Sequence, residues 1–251
     1  VYPEICLFSS HGYRTIIDND GCGFSTMGNF DITRKRKNNG FLLTIENDNY
    51  AMSLTRGGVT VFDPGKATFT ASAAGFSVTT IAKPLVATAG EIRVVMIKNR
   101  LDETVEVKIK AAAEPVLDER DRDIAHREYN NMFVKTALFA GNKAVTAVRP
   151  ETGVCAGLVA FGGDSTEYVS SRGEFYGRRK SVRFGDVLDP ILAAVTAVRL
   201  APGEERQVSF ALLPAYSEDA LRAGLSIATG KEFFAREISA PVPGIQPDAE
   251  T

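Results

Sequence analysis

The sequence has two histidines, three cysteines and no tryptophan. His11 and His126 leave little material for acid–base chemistry. A Ser/His/Asp set can be assembled on paper. No serine, however, sits in a GxSxG elbow or beside an oxyanion motif, so a hydrolase triad is disfavoured. Cys6, Cys22 and Cys155 are odd in number and far apart, and no CxxC or Cys/His spacing suggests zinc or any other metal. They read as reduced thiols of a cytoplasmic protein. Cys22 alone falls in a loop, where a reactive thiol would need a basic neighbour. GxGxxG and the P-loop pattern are both absent, which disfavours dinucleotide and nucleotide-phosphate chemistry. No apolar run reaches the roughly 18 residues a membrane helix needs. Excess charge of one sign is missing too. The 29 basic and 31 acidic residues give a formal net charge of -2, and the pI is about 5.8. Neither nucleic acid nor an anionic membrane is expected as a partner. The opening Val1-Tyr2-Pro3-Glu4 is neither a signal peptide nor a native Met start, so the expectation is a chain cut from something longer.

What is present is a dominant period of two. Thr104-Val105-Glu106-Val107-Lys108-Ile109-Lys110 alternates strictly, placing Val105, Val107 and Ile109 on one face of a half-buried strand. Glu91–Ile97 precedes it across a polar turn, and the two read as a hairpin. Further strands are expected at Ile5–Phe8, Arg14–Ile17, Phe41–Glu46, Ala51–Leu54, Val59–Phe62, Ala67–Ala71 and Phe76–Ala82. Others follow at Met132–Ala140, Ala144–Val148, Val154–Phe161, Ala193–Leu200 and Gln207–Leu213. Turn chemistry lies between them, as in Asp63-Pro64-Gly65 and Ala201-Pro202-Gly203. Many short strands without βαβ alternation predict an all-β protein, a large antiparallel β-sandwich. A chain of 251 residues buries about 70–75% of its unfolded surface without disulfide staples.

Two segments depart from the strand pattern. Glu114 to Asn131 is long and charged and reads as a loop that is functional, an interface, or mobile. Near the end, Ser217 is placed to cap a helix over Glu218–Thr229, with Gly230 as its stop and a second short helix over Lys231–Ile238. Pro241 to Pro247 then reads as a linker or tail. The expected domains are therefore a sandwich over residues 1–214 and a helical linker and tail over 215–251.

Several clusters are candidates for contact rather than catalysis. Ser10-His11-Gly12-Tyr13 leads into Asn19-Asp20-Gly21-Cys22-Gly23-Phe24-Ser25, a glycine loop whose simplest reading is a turn needing positive φ. Asp31-Ile32-Thr33-Arg34 opens a basic run through Lys37, which suits an acidic neighbour, a phosphate or sugar hydroxyls. Arg172, Tyr176 and Arg178 combine guanidinium groups with aromatics, a chemistry that suits sugars and, more strongly, interdomain interfaces. His126 and Glu128 stand together in the long loop, but sequence neighbours do not establish a catalytic pair.

Taken in order, these segments resemble the N-terminal β-sandwich domain of the inverting glycoside phosphorylases, the group of cellobiose, chitobiose and β-1,2-oligoglucan phosphorylases and cyclic β-1,2-glucan synthase. The resemblance runs from about Pro3 to Ala223. It continues through Asn131-Met132-Phe133-Val134-Lys135-Thr136, Arg149-Pro150, Glu167-Tyr168 and Arg172. Phe175-Tyr176-Gly177-Arg178, Leu188-Asp189-Pro190-Ile191 and Val198-Arg199-Leu200-Ala201-Pro202-Gly203-Glu204 complete it. The family often has tryptophans after the glycine loop and after the Thr-Arg pair. Here Met27 and Lys35 stand near those positions.

The resemblance implies a galactose-mutarotase-like supersandwich followed, in the parent protein, by an (α/α)6 barrel that holds the catalytic residues. This chain would then hold no catalytic residue and no cofactor, inorganic phosphate being the parent's co-substrate. The implied partners are β-linked oligosaccharide, the barrel, and a second copy in a homodimer. The contact candidates are Arg34, His126, Glu128, Arg172, Tyr176 and Arg178. A stand-alone carbohydrate-binding module and a mutarotase-like aldose epimerase are the alternatives. The latter needs a His/Glu pair drawn from His11 or His126 with Glu128 or Glu174.

Overall fold

The structure, a computed structural model, describes residues 4–34, 40–47, 50–177 and 184–241. In chain order the first strands are β1 (Ile5–Ser10), β2 (Tyr13–Asp18), β3 (Gly23–Met27), β4 (Phe30–Thr33), β5 (Phe41–Glu46), β6 (Ala51–Ser53), β7 (Val59–Asp63), β8 (Lys66–Ala73) and β9 (Phe76–Pro84). Then come β10 (Glu91–Asn99), β11 (Val105–Ala113), β12 (Pro115–Glu119), helices α1 (Arg120–Ala125) and α2 (Arg127–Asn131), β13 (Lys135–Phe139), β14 (Ala144–Val148), β15 (Cys155–Phe161) and β16 (Ser165–Ser171). The chain finishes with α3 (Arg172–Phe175), β17 (Gly185–Asp186), β18 (Pro190–Leu200), β19 (Glu205–Ala215), α4 (Glu218–Ala228) and α5 (Lys231–Ser239).

The strands form a nine-stranded sheet, β17-β13-β14-β15-β19-β10-β9-β8-β7, and two five-stranded sheets, β16-β18-β11-β5-β6 and β1-β2-β3-β4-β12. The main core fills the space between the nine-stranded sheet (Val78, Val95, Phe210) and the β11 sheet (Ile45, Ile109, Val198). Each such side chain contributes about 1.5–3 kcal/mol by leaving water. A second core lies on the other face of the nine-stranded sheet. There Leu221 and Leu225 of α4 and Phe233 and Phe234 of α5 pack on Ile92, Val94 and Leu213. Ser217 caps α4 by accepting from the Ala220 amide at 3.3 Å. Both helices of the expected linker segment thus share a core with the sandwich. Strand β10 is buried on both faces, with Ile92 and Val94 toward the helices and Val95 and Ile97 inward.

Four expectations are corrected. Strands β10 and β11 are not a hairpin: β10 pairs with β9 and β19, whereas β11 pairs with β5 and β18. The polar connection between them crosses from one sheet to the other. Asn99 fixes that arch, its Nδ2 donating to the carbonyls of Glu103 at 2.8 Å, Leu200 at 3.2 Å and Ala201 at 3.1 Å. Alternation identifies a strand with one wet face but not its neighbour, and both arrangements satisfy it.

The loop expected over Glu114–Asn131 is ordered as β12, α1 and α2, with β12 joining β4 at a sheet edge. The glycine loop is a tight β2–β3 turn, and Phe24 and Ser25 belong to β3. Gly21 has the expected positive φ of +76°, but Gly23 is constrained differently: a Cβ there would lie 1.8 Å from the Ile16 carbonyl oxygen. The strand expected from Met132 begins only at Lys135, because Phe133 and Val134 still bond back to Asn130 and Asn131 in helical turns. Strands β4, β12, β16 and β17 also form where none was expected.

A buried hydrogen bond ties the β1–β4 sheet to the nine-stranded one, beside an ion pair within β10. Glu91 accepts from the Tyr13 hydroxyl at 2.6 Å and lies 2.5 Å from the Arg93 guanidinium. Burial, with Glu91 beside it, pushes the Tyr13 phenol well above its ordinary value.

Candidate functional site

The richest constellation lies where β11 ends. Glu114 follows the small-residue run Ala111-Ala112-Ala113, and Arg34 follows β4. The Arg34 amide donates to the Glu114 carbonyl at 3.0 Å, joining two sheets. The Glu114 carboxylate then takes three guanidinium groups: Arg127 at 2.9 Å, Arg172 at 3.2 Å and Arg34 at 3.9 Å. Arg34 also reaches Asp123 at 2.7 Å and Asn131 at 2.9 Å. Behind it, Arg149 pairs with Asp118 at 3.0 Å and donates to the Asn130 carbonyl at 3.2 Å. Asn130 Nδ2 donates to Asp123 at 3.1 Å and closes the network. At its edge Arg120 holds Asp31 with two bonds, at 3.1 and 2.9 Å, and lies 4.8 Å over the Phe24 ring. That pairing raises the Arg120 guanidinium further above its ordinary value.

Buried charges each cost several kcal/mol in lost hydration and persist only when matched and hydrogen-bonded. Here they are matched, and the effect is to fix α1 and α2, which are too short to hold themselves. Above the network the surface is mixed, with Asp121, Arg122, His126 and Glu128 exposed beside large apolar side chains. Ile124 is 74%, Leu188 73%, Tyr129 62% and Met132 59% exposed. Leu188 and Met132 each adjoin a residue of one bridge, Asn131 Nδ2 to Asp189 Oδ1 at 3.3 Å.

The contact candidates fall as follows. Arg34 and Arg172 meet on Glu114. Arg34 is only 3% exposed, so it braces the α1–α2 excursion from inside rather than meeting a partner at the surface. Tyr176 lies 5.8 Å from the Arg172 guanidinium and is half-exposed. His126 links α1 to α2 and is exposed, as is Glu128. Arg178, and residues 35–37 of the basic run, lie outside the described residues. His11 sits in the β1–β2 turn, its Nε2 donating to the Val86 carbonyl at 2.9 Å. Among the described residues neither histidine has a carboxylate within hydrogen-bond reach. Among the same residues no cluster of three His, Cys, Asp or Glu side chains is arranged to hold a metal.

Glu114, Arg127 and Asp189 were not foreseen as members of the constellation. The available signal was a lone carboxylate between a run of alanines and Pro115, a position that strand burial makes costly unless cations converge on it.

At the opposite end of the same sheet Glu106 is opposite Arg199 in register. There an open groove of about 600 Å³ is lined by Glu106, Asp164, Arg199 and Arg206 among others. The Arg199 amide donates to Asp164 at 2.7 Å and Arg206 lies 3.0 Å from it. These contacts hold the Asp164 carboxyl below its ordinary range.

Antiparallel sheets in this arrangement, with helices on the outer face of the larger one, define a galactose-mutarotase-like supersandwich. The particular family follows from the sequence: a profile described as "Glycosyl hydrolase 94, supersandwich domain" matches residues 1–227, and the chain belongs to that family. It is a carbohydrate-related β-sandwich domain.

Solved structures share the fold. A bacterial glucoamylase complexed with acarbose superposes with a TM-score of 0.58 at 10% identity, over 94% of this chain and 37% of that one. A galactose mutarotase-like protein from Lactobacillus casei gives 0.50 at 7% identity, over 84% of this chain and 100% of that one. A heparinase III gives 0.52 at 9% identity, over 86% and 35%. This chain therefore spans well under half the length of the glucoamylase and the heparinase. A comparison with curated proteins finds no match. Among the described residues no helix is long and apolar enough to cross a membrane.

Proposed function

We propose that this chain is the non-catalytic, carbohydrate-binding and structural domain of a glycoside phosphorylase or glucan synthase acting on β-linked gluco-oligosaccharides. In this reading the Glu114 end of the sandwich seats an (α/α)6 catalytic barrel in a cytoplasmic homodimer, and inorganic phosphate is the co-substrate there. The observation that carries the proposal is the buried arginine–Glu114 network beneath the exposed side chains of Ile124, Tyr129, Met132 and Leu188. Solvated surfaces seldom expose several large apolar side chains around a rigidly braced excursion, and such patches mark contact sites.

The test uses the parent protein, that is, this chain with whatever follows Thr251 in its gene. Phosphate-dependent release of sugar 1-phosphate from β-linked glucobioses is measured for wild type and for an Ile124→Asp/Met132→Asp double variant. We expect activity in the parent, none in the 251-residue chain alone, and at least a tenfold loss in the double variant. A gene with no barrel after residue 251 and none nearby, or a fully active double variant, would overturn the reading.

A mutarotase-like epimerase is favoured by one fact, that the single-domain relative is covered along its whole length. Polarimetry of freshly dissolved α-glucose separates the readings: acceleration over buffer by the isolated chain would favour the epimerase.

A further inference from the structure

The Ser10-His11-Gly12-Tyr13 motif plays no part in the site above. It forms a two-residue turn in which His11 (φ 51°) and Gly12 (φ 81°) are both left-handed, the geometry that matches the twist of an antiparallel pair. Its side chains grip the segment after β9. Ser10 Oγ donates to the Leu85 carbonyl, and to that of Thr88 at 3.2 Å. His11 Nε2 donates to the Val86 carbonyl at 2.9 Å. The same segment offers its amides to the other side. Val86 N donates to Glu237 Oε2 at 2.6 Å and Ala87 N to Oε1 at 3.2 Å. Glu237 is fully buried, near the end of α5. One step earlier, Lys83 is 5% exposed and donates to the carbonyls of Ile238 and Ala240, both at 3.0 Å. A cation is thereby set on the carbonyl end of α5, where the helix dipole favours it.

We propose that Lys83, Glu237 and the 85–90 segment form a latch that couples the first hairpin to the last helix and fixes the point at which the chain leaves the sandwich. Two buried charges of opposite sign, Lys83 on β9 and Glu237 on α5 itself, hold the helix against the sandwich. That helix has nine residues, too few to persist alone. The segment is gripped by carbonyls on one side and by amides on the other, so loosening either side loosens its hold on the other. The motif's role is then to brace the exit helix, and the angle of anything attached after Pro241 depends on a turn more than 220 residues earlier in the chain.

Hydrogen exchange on the 251-residue chain, read peptide by peptide, tests this. Glu237→Gln keeps the shape and removes the charge. It is expected to speed exchange across 231–239 at least tenfold while leaving β11 and β18 unchanged. Ser10→Ala, which touches no residue of α5, is expected to speed the same peptides several-fold, and coupling makes the two effects non-additive in the double variant. If Glu237→Gln fails to fold, Lys83→Met combined with Ser10→Ala gives the same cycle. Unchanged α5 exchange in Glu237→Gln would refute the latch. Unchanged α5 exchange in Ser10→Ala would refute the coupling.

Discussion

The two ends of the β11 sheet share strands β11 and β18 and treat charge differently. At the Glu114 end the charges are buried and paired: Glu114, Arg34, Asp118 and Arg149 are all 6% exposed or less, while Ile124 and Leu188 stand in solvent. At the Glu106 end the charges stand in solvent around an open groove, and apolar neighbours such as Val107 and Val198 are buried. The second pattern is what water imposes on any sheet end. The first departs from it, with paired charges inside and large apolar side chains sharing the surface with charged ones, and such apolar side chains are placed to be covered. The difference sets the Glu114 end apart without appeal to a pocket, and the open groove lies at the other end.

The comparison is broken most decisively by removing one partner at each end. Arg149→Met leaves Asp118 buried, with the exposed Arg122 at 3.6 Å and the Glu119 amide at 2.8 Å in partial compensation. Orphaning a buried charge costs about 3–5 kcal/mol, and a drop of that size in urea unfolding free energy is expected. Glu114→Gln, which leaves three arginines without their common carboxylate, is expected to fall in the same range. Arg206→Met at the groove end removes an ion pair whose partners are each about one-third to one-half exposed, and such pairs are worth about 0–1 kcal/mol. Equal losses at the two ends would show that the buried network is not special.

The fold was largely legible because its signals are local. Phe41–Glu46 buries every second residue, and both it and Ala144–Val148 form as read. Ser217 and Gly230 punctuate α4 by side-chain and backbone chemistry that needs no partner. What was not legible is non-local. Pairing of β10 with β19 rather than β11 depends on Asn99 reaching the Leu200 and Ala201 carbonyls, about 100 residues away. Glu114 gives no local sign that Arg34, Arg127 and Arg172 will converge on it. Residues 114–131 looked structureless because their stability comes from those contacts, not from helix propensity. Arg34 was noticed for its charge, yet it is the burial of that charge, invisible in sequence, that defines its role.

An intermediate effect is expected from alkali, and it belongs to the core rather than to either end. Burial raises the thiols of Cys6 and Cys155 from an ordinary 9.0, Cys155 to about 12. It likewise raises the phenols of Tyr13, Tyr50 and Tyr168 from 10.0, Tyr50 to about 12. Each folded value exceeds its unfolded one, so the folded state keeps protons that the unfolded chain sheds. That stability is fully present below pH 9 and declines as pH rises toward 12. Burial lowers the buried Lys83 amine from 10.5, which acts in the opposite direction just below that value. Five groups outweigh one, and the unfolding midpoint is expected to fall by several degrees between pH 8 and pH 10.5. A flat profile over that range would show that the buried thiols and phenols find other partners. In the native state at pH 8.5, partly exposed Cys22, with Arg56 2.9 Å from its sulfur, is expected to take up a thiol reagent before Cys6 and Cys155.

The smallest expected effect sharpens the comparison most. Replacing Ile124 and Met132 by serine removes exposed apolar side chains that hold nothing inside the fold, so stability of the isolated chain is expected to change by less than about 0.5 kcal/mol. The buried network below them is untouched. If these side chains exist to be covered, the same substitutions act only where something covers them. The expected outcome is an unchanged melting curve for the 251-residue chain together with weakened assembly of the parent protein, read by sedimentation. A variant that lowers the stability of the isolated chain as much as Arg149→Met does would mean that Ile124 and Met132 pack within it. The arrangement of charge and apolar surface at this end would then be a feature of folding alone.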